Sequence, residues 1–256
     1  MDLGNRVVVV TGASRGVGAA IAAELAREGA SVCVNYFRSR ELAEELVFAI
    51  QAAGGHAFAH GADVTSPEEV DAMMRATGER FGRVDVVVNN ALPAYSFDPG
   101  APYTRIETVE WEDFDRQFQG AVRAVFNTTR AALPYMKAQR FGKIVNIATN
   151  LIFNPVVTYY DYTTAKAALL GLTRNLAAEL GPHGIRVNLV AGGLLSVTDA
   201  SRVTTPEVFE LIAGSSPLRE VVTPADFARA VAFFASDWSN AVTGQTIAVD
   251  AGLTMA

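Results

Sequence analysis

VVVVTGASRGVG, residues 7–18, sets four β-branched residues directly against a glycine-rich turn, and helical spacing takes over from there. Four consecutive valines read as a strand buried on both faces. Glycines at 12, 16 and 18 let the backbone turn tightly and come close to a ligand. The helix that starts there offers unpaired N–H groups and the positive end of its dipole, so strand, turn and helix together suit a pyrophosphate. The spacing is TGxxxGxG rather than GxGxxG, and taken alone it is a weak signal. The same residues contain GASRG, a formal GxSxG, in which Ser14 would be a hydrolase nucleophile. That alternative needs a histidine base, and His56, His60 and His183 all sit in undistinguished contexts.

Outward from this turn, short β-branched runs alternate with helical patterns. The runs are 7–10, 31–36, 57–60, 84–90, 143–148, 185–190 and 246–250; the helical segments are 18–28, 41–53, 67–80, 112–136, 162–180 and 224–235. Near-continuous apolar strands separated by helices predict an α/β fold, a parallel sheet with helices on both faces. Half of the 256 residues are hydrophobic, enough for one domain over 1–256. Residues 192–222, rich in Ser, Thr and Pro and without a strand signal, read as a substrate lid.

Charge narrows the classes. The net charge is -6 and the 21 Lys and Arg residues are scattered, which argues against a nucleic-acid partner. No apolar run reaches the roughly 18 residues that span a bilayer, and MDLGNRVVVVTG lacks signal-peptide features, so a cytoplasmic location is expected. Cys33 is the single cysteine, in SVCVNY, and reads as a small core residue. The three histidines lack metal-ligand spacing, so no metal site is expected.

In dinucleotide folds the end of the second strand selects the coenzyme: a carboxylate there suits the ribose hydroxyl of NAD, and arginine suits the 2'-phosphate of NADP. Here the strand ends in Asn35, Tyr36, Phe37 and Arg38, with no acid, and Arg15 lies in the glycine loop. The expected cofactor is NADP(H), its phosphate clamped by Arg15 and Arg38.

A second stretch carries chemistry. In TNLIFNPVVTYYDYTTAK, residues 149–166, Tyr162 and Lys166 are spaced i, i+4 and share one helix face. Tyr160 points elsewhere, and Tyr159 joins that face only if the helix starts early, against Pro155 and the β-branched residues 156–158. A nearby lysine cation stabilises a phenolate and draws a tyrosine pKa down from about 10, as general acid catalysis requires.

With these residues in view the chain resembles the short-chain dehydrogenase/reductase family from end to end. TGASRGVG is similar to the family's cofactor loop, Asp63-Val64 to its adenine-contacting pair, NNA at 89–91 to its central-strand motif, YTTAK at 162–166 to YxxxK, and VNLVAGG at 187–193 to its post-strand turn. The resemblance implies a Rossmann-like, doubly wound, seven-stranded parallel sheet, hydride transfer with a nicotinamide cofactor, and a homotetramer. It assigns Tyr162 as proton donor or acceptor and Lys166 to the nicotinamide ribose. The hydroxyl 13 residues before the tyrosine, Thr149, where the family usually has serine, orients the substrate carbonyl. Carried over residue by residue, cofactor contacts fall on Gly12, Ser14, Arg15, Gly16, Val17, Asn35, Tyr36, Arg38, Ser39, Asp63, Val64, Asn90, Ala91, Tyr162, Lys166, Gly193, Leu195 and Thr198. The substrate pocket falls on Leu92, Tyr95, Leu151, Phe153, Tyr159 and Leu194, with Pro93 beside them.

Departures from the family pattern matter as much. Its fourth catalytic residue, an asparagine that holds a relay water, is here Ala121. NNAG has become NNAL at Leu92, the proline of the PG turn is Gly192, and the threonine that follows is displaced, with Val197 in its place and Thr198 next. Two functions are carried forward. One is an NADPH-dependent reductase of a ketone, first a 3-oxoacyl thioester of acyl carrier protein or coenzyme A, otherwise a ring ketone, quinone or pterin. The other, prompted by Ala121 and Leu92, is a binding module or sensor with little turnover.

Overall fold

In the computed structural model, residues 1–98, 100–196, 198, 201 and 204–255 are described. Seven parallel strands form one sheet: β1 Val7–Val10, β2 Ser31–Tyr36, β3 His56–Gly61, β4 Val86–Asn89, β5 Gly142–Thr149, β6 Ile185–Gly192 and β7 Thr246–Val249. Their order is β3-β2-β1-β4-β5-β6-β7, so the winding reverses between β1 and β4 and opens a crevice at the carboxyl ends of those strands. The helices are α1 Gly16–Arg27, α2 Arg40–Ala52, α3 Pro67–Phe81, α4 Trp111–Phe118, α5 Ala124–Gln139, α6 Tyr160–Leu180, α7 Pro206–Ser215 and α8 Pro224–Ala235.

The valine run is buried from both sides, as its composition requires. Val8 and Val10 join Ile21 and Leu25 of α1 and Phe227 and Val231 of α8 in one core. Val9 faces the other way, with Met73 of α3, Met136 of α5 and Leu180 of α6. Cys33 lies in this second core, fully buried, and burial pushes its thiol up to about 12, so it stays an unreactive packing group.

A buried polar chain crosses the half of the sheet that carries the site. The Thr128 hydroxyl donates to Asn89 Oδ1 at 2.6 Å, Asn89 Nδ2 to Asn146 Oδ1 at 2.9 Å, and Asn146 Nδ2 to Thr173 Oγ1 at 2.9 Å. It ties α5, β4, β5 and α6 in one register. Thr173→Val is isosteric but leaves the Asn146 amide without its acceptor, and a loss of about 1 to 2 kcal/mol is expected in urea unfolding; an unchanged midpoint would count against the chain.

Local structure departs from the sequence reading in three places. The helix expected over 112–136 is interrupted by a π-helical turn, Gln119–Arg123, and extends to Gln139. A Cβ on Gly120 would collide with the ring of Pro93, so glycine lets the segment after β4 lie against this turn. The helix carrying Tyr162 starts at Tyr160, with Tyr159 as its N-cap. Residues 192–222 include α7. Val197, whose place in the post-strand turn departs from the family pattern, lies outside the described residues.

Candidate active site

The glycine loop is held open by side chains that point away from any ligand. The Thr11 hydroxyl donates to Val88 O at 3.2 Å and accepts from Asn90 N at 2.9 Å and Ala91 N at 3.0 Å, stitching β1 to the end of β4. Asn90 Nδ2 donates to Thr11 O at 2.9 Å and Gly12 O at 3.1 Å. Asn35 Oδ1 accepts from Gly12 N at 3.1 Å, while its Nδ2 donates to Ala62 O at 3.1 Å and His60 O at 3.3 Å. Asn35 therefore bonds the glycine loop and the end of β3 with its amide. Gly12 has φ +60, and a Cβ there would lie 2.9 Å from Ala91 Cα. Gly16 has φ +56, and a Cβ there would meet nothing within 4 Å. α1 begins with no side-chain cap. Open space above an uncapped helix start is a cradle that fits a phosphate group.

Flanking this cradle, Arg15 and Arg38 are exposed, the Arg38 guanidinium 4.9 Å from the Phe37 ring centre. Tyr36 lies over Gly61, and Ser39 is the N-cap of α2. Asp63 Oδ1 accepts from Thr65 N and Thr65 Oγ1 at 2.9 and 2.8 Å, and Val64 O accepts from Asn127 Nδ2 at 3.0 Å. These contacts set the turn after β3.

From the loop an apolar cavity of about 480 Å³ runs along the ends of β5 and β6. Thr149, Tyr162 and Lys166 share its wall with Val17 and Asn90 on the loop side and Gly193, Leu195 and Thr198 beyond β6. All three of the first group are buried. Lys166 Nζ donates to Ile147 O at 2.7 Å and lies 6.0 Å from the Tyr162 ring centre. Burial drives the Tyr162 hydroxyl up to about 12, opposed by a hydrogen bond with Thr149, and drives Lys166 down to about 8. Burial dominates the Tyr162 pKa, and the Lys166 ammonium is held at the Ile147 carbonyl.

On the substrate side Leu92, Leu151, Tyr159 and Leu194 line the cavity. Tyr95 and Phe153 do not. Phe153 packs against the core of Val125 and Leu189, and Tyr95 stacks on the outside of Tyr162. Phe97, Val208 and Ile212 line it instead. They went unread because Phe97 comes from a segment without periodicity and the others from α7. Gly192 is explained by its neighbour: a Cβ there would lie 2.9 Å from the Phe227 ring.

Ser14, His56, His60 and His183 do not line this cavity, and the described residues include no group of three His, Cys, Asp or Glu able to hold a metal ion. No helix among them is long and apolar enough to cross a membrane. Ala121 is buried in the π-helical turn. Four residues earlier Gln117 is fully buried, and its amide has no hydrogen-bond partner among the described residues. Ala121→Asn adds a second buried amide to this packed turn, so it is expected to cost about 1 to 2 kcal/mol of stability and to change turnover by no more than about a few-fold. A tenfold gain in turnover, about 1.4 kcal/mol off the barrier, would show that the wild-type proton relay is broken.

The family model described as Enoyl-(Acyl carrier protein) reductase matches residues 12–254. A 3-oxoacyl-[acyl-carrier-protein] reductase FabG of Staphylococcus aureus (strain Mu50) is 40% identical over 250 residues, covering 96% of this chain and 97% of that protein. This chain belongs to the short-chain dehydrogenase/reductase family. Another relative, 3beta-hydroxysteroid dehydrogenase 1 of Eggerthella lenta, is 37% identical over 256 residues, covering 99% and 95%. Among solved structures, a 7α-hydroxysteroid dehydrogenase complexed with NADH and 7-oxo glycochenodeoxycholic acid superposes with a TM-score of 0.88 at 33% identity, covering 98% of this chain and 95% of that one. As a family member the chain is an oxidoreductase acting on CH–OH/C=O groups with a nicotinamide cofactor.

Proposed function

We propose that the chain is an NADPH-dependent carbonyl reductase with Tyr162 as proton donor, Thr149 as carbonyl-orienting hydroxyl and Lys166 as the ribose-binding cation. The observation that carries this reading is the shared wall: the three side chains border one apolar cavity that reaches the glycine loop. When bound, the nicotinamide supplies the hydride. The chain's own part is to grip the pyrophosphate with the amides at the start of α1, to keep water from the reacting carbon with an apolar wall, and to move one proton. Thr149 and Tyr162 share the cavity wall and Thr149 draws the Tyr162 pKa down against burial, so the two hydroxyls can address one carbonyl oxygen together. As negative charge develops on that oxygen, Tyr162 releases its proton to it, and the Lys166 ammonium stabilises the phenolate left behind.

The first substrate class is a 3-oxoacyl thioester, supported by the family model and the FabG relatives. A ring ketone is the second, supported by the apolar wall and the hydroxysteroid dehydrogenase likenesses. Residues 192–222 form a lid, supported by Val208 and Ile212 of α7 on the cavity wall. A homotetramer is supported by the exposed Trp111, stacked on Phe114 at 5.6 Å, and by exposed Phe126. Sedimentation tests that assembly.

The deciding experiment measures NADPH consumption against a panel of 3-oxoacyl thioesters, steroid ketones, quinones and pterins. Turnover of one class names the substrate. Coenzyme binding without turnover of any would favour the weakly catalytic module that Ala121 and Leu92 prompted.

A further inference from the structure

Between β4 and α4 the described residues of 90–110 include one short 3₁₀ turn, Pro102–Thr104, and are tied to neighbouring elements. The strongest anchor in this stretch is internal to the site. Tyr95 Oη donates to Asp161 Oδ1 at 2.8 Å across 66 residues of sequence, and Asp161 is fully buried in the first turn of α6. The Tyr95 ring lies on the Tyr162 ring, centroids 5.3 Å apart and planes 26° apart. Phe97 meets Tyr162 edge-on at 5.2 Å and 88°, and Tyr159 meets Tyr95 edge-on at 5.8 Å and 87°. Offset and edge-on rings attract beyond the area they bury, so the cluster has a preferred geometry.

A buried carboxylate needs a reason. Helix N-termini favour anions, and Asp161 lies in the first turn of α6, where Tyr95 bonds one carboxyl oxygen and the other is buried without a hydrogen-bond partner among the described residues. One buried carboxyl, next in sequence to Tyr162, therefore holds the hydroxyl of the ring lying on Tyr162. Burial raises both Asp161 and Tyr95 above their ordinary pKa values, so Tyr95 keeps the proton it donates. The titratable neighbours are Tyr103 and Tyr159, which act on Tyr95, and Asp113 of α4, which acts on Asp161.

We propose that Asp161 and Tyr95 are a positioning pair for Tyr162: the carboxylate holds Tyr95 flat on the Tyr162 ring, and the pair fixes the direction from which the Tyr162 hydroxyl meets the substrate. One face of Tyr162 is covered by Tyr95 and Phe97 meets it edge-on, while Tyr162 shares the cavity wall with Thr149. Tyr95 thus acts on the site without lining the cavity. The inference rests on the assignment of Tyr162 as proton donor.

The test compares Tyr95→Phe, Asp161→Ala, the double variant and Asp161→Asn, with Tyr162→Phe as control, reading kcat, KM and coenzyme Kd on the full chain. Tyr95→Phe and Asp161→Ala should each lower kcat about tenfold, with coenzyme Kd within about twofold, because small misplacement of a reacting group is costly. The double variant should be no slower than the worse single one, since both remove one interaction. Asp161→Asn keeps an oxygen acceptor for Tyr95 and should return kcat to within about threefold of wild type. A multiplicative loss of about a hundredfold in the double variant, a change confined to KM, or failure of Asp161→Asn to rescue would overturn the proposal. An active Tyr162→Phe enzyme overturns it through its premise, which separates that failure from the others. Should Asp161→Ala not fold, Tyr95→Phe decides alone, and kcat within about twofold of wild type sinks the pair.

Discussion

Tyr162→Phe is expected to lower turnover by about a hundredfold or more while leaving coenzyme Kd within about twofold. The substitution removes one oxygen from a buried ring that stacks on Tyr95 and meets Phe97 edge-on. The fold and the aromatic cluster should therefore survive, and the loss should fall on the chemical step. What disappears is the proton source and half of the hydroxyl pair with Thr149. Tyr159→Phe and Tyr160→Phe are the informative controls. Tyr159 also lines the cavity and caps α6, so it is the one other tyrosine of this stretch on the wall. If either control loses more rate than Tyr162→Phe, the proton donor has been assigned to the wrong side chain.

NADPH should bind about ten- to a hundredfold more tightly than NADH, and Arg38→Ala should remove most of that preference while barely touching NADH. The turn after β2 offers no carboxylate to a ribose hydroxyl, and Arg15 in the glycine loop and Arg38 just after β2 are both exposed. A guanidinium on a 2'-phosphate makes charge-assisted hydrogen bonds worth about 1.5–3 kcal/mol, which converts to that ratio. Fluorescence titration of both coenzymes against wild type and Arg38→Ala checks it; equal affinities in the wild type would refute the clamp.

Much of the architecture is written into periodicity. Continuous valine runs announced strands covered on both faces, and α8 begins and ends at residues 224–235 as the apolar spacing indicates. Periodicity failed where packing is not continuous. A π-helical turn inserts a residue without altering which side chains are apolar, so 112–136 read as one helix. α7 leaves Leu211 67% exposed, and no buried stripe betrayed it. In the site, residue types were legible but their aim was not. Asn35 and Asn90 look like ligands in sequence because polar side chains at strand ends usually face a cofactor, yet the sheet register turns both onto the glycine loop. The Tyr95–Asp161 contact joins residues from separate βα units, and local spacing carries no trace of it.

The way Asn35 is consumed restricts how this enzyme's coenzyme choice can drift or be redesigned. An aspartate at 35 would keep the acceptor for Gly12 N but set its other oxygen against the carbonyls of His60 and Ala62, which now accept from the asparagine amide, so the shortest route to an acid at the end of β2 loosens the junction with β3 before it reaches a ribose. The next position is occupied by Tyr36, whose ring covers Gly61, so an acid there uncovers the edge between β2 and β3. Turning the proposed NADPH preference toward NADH therefore needs at least two coordinated changes, an acid at 36 and a bulkier residue at 61, with the intermediate carrying either a bare edge or a clash. Single-step variants of this chain should drift in affinity for NADPH far more readily than they exchange it for NADH.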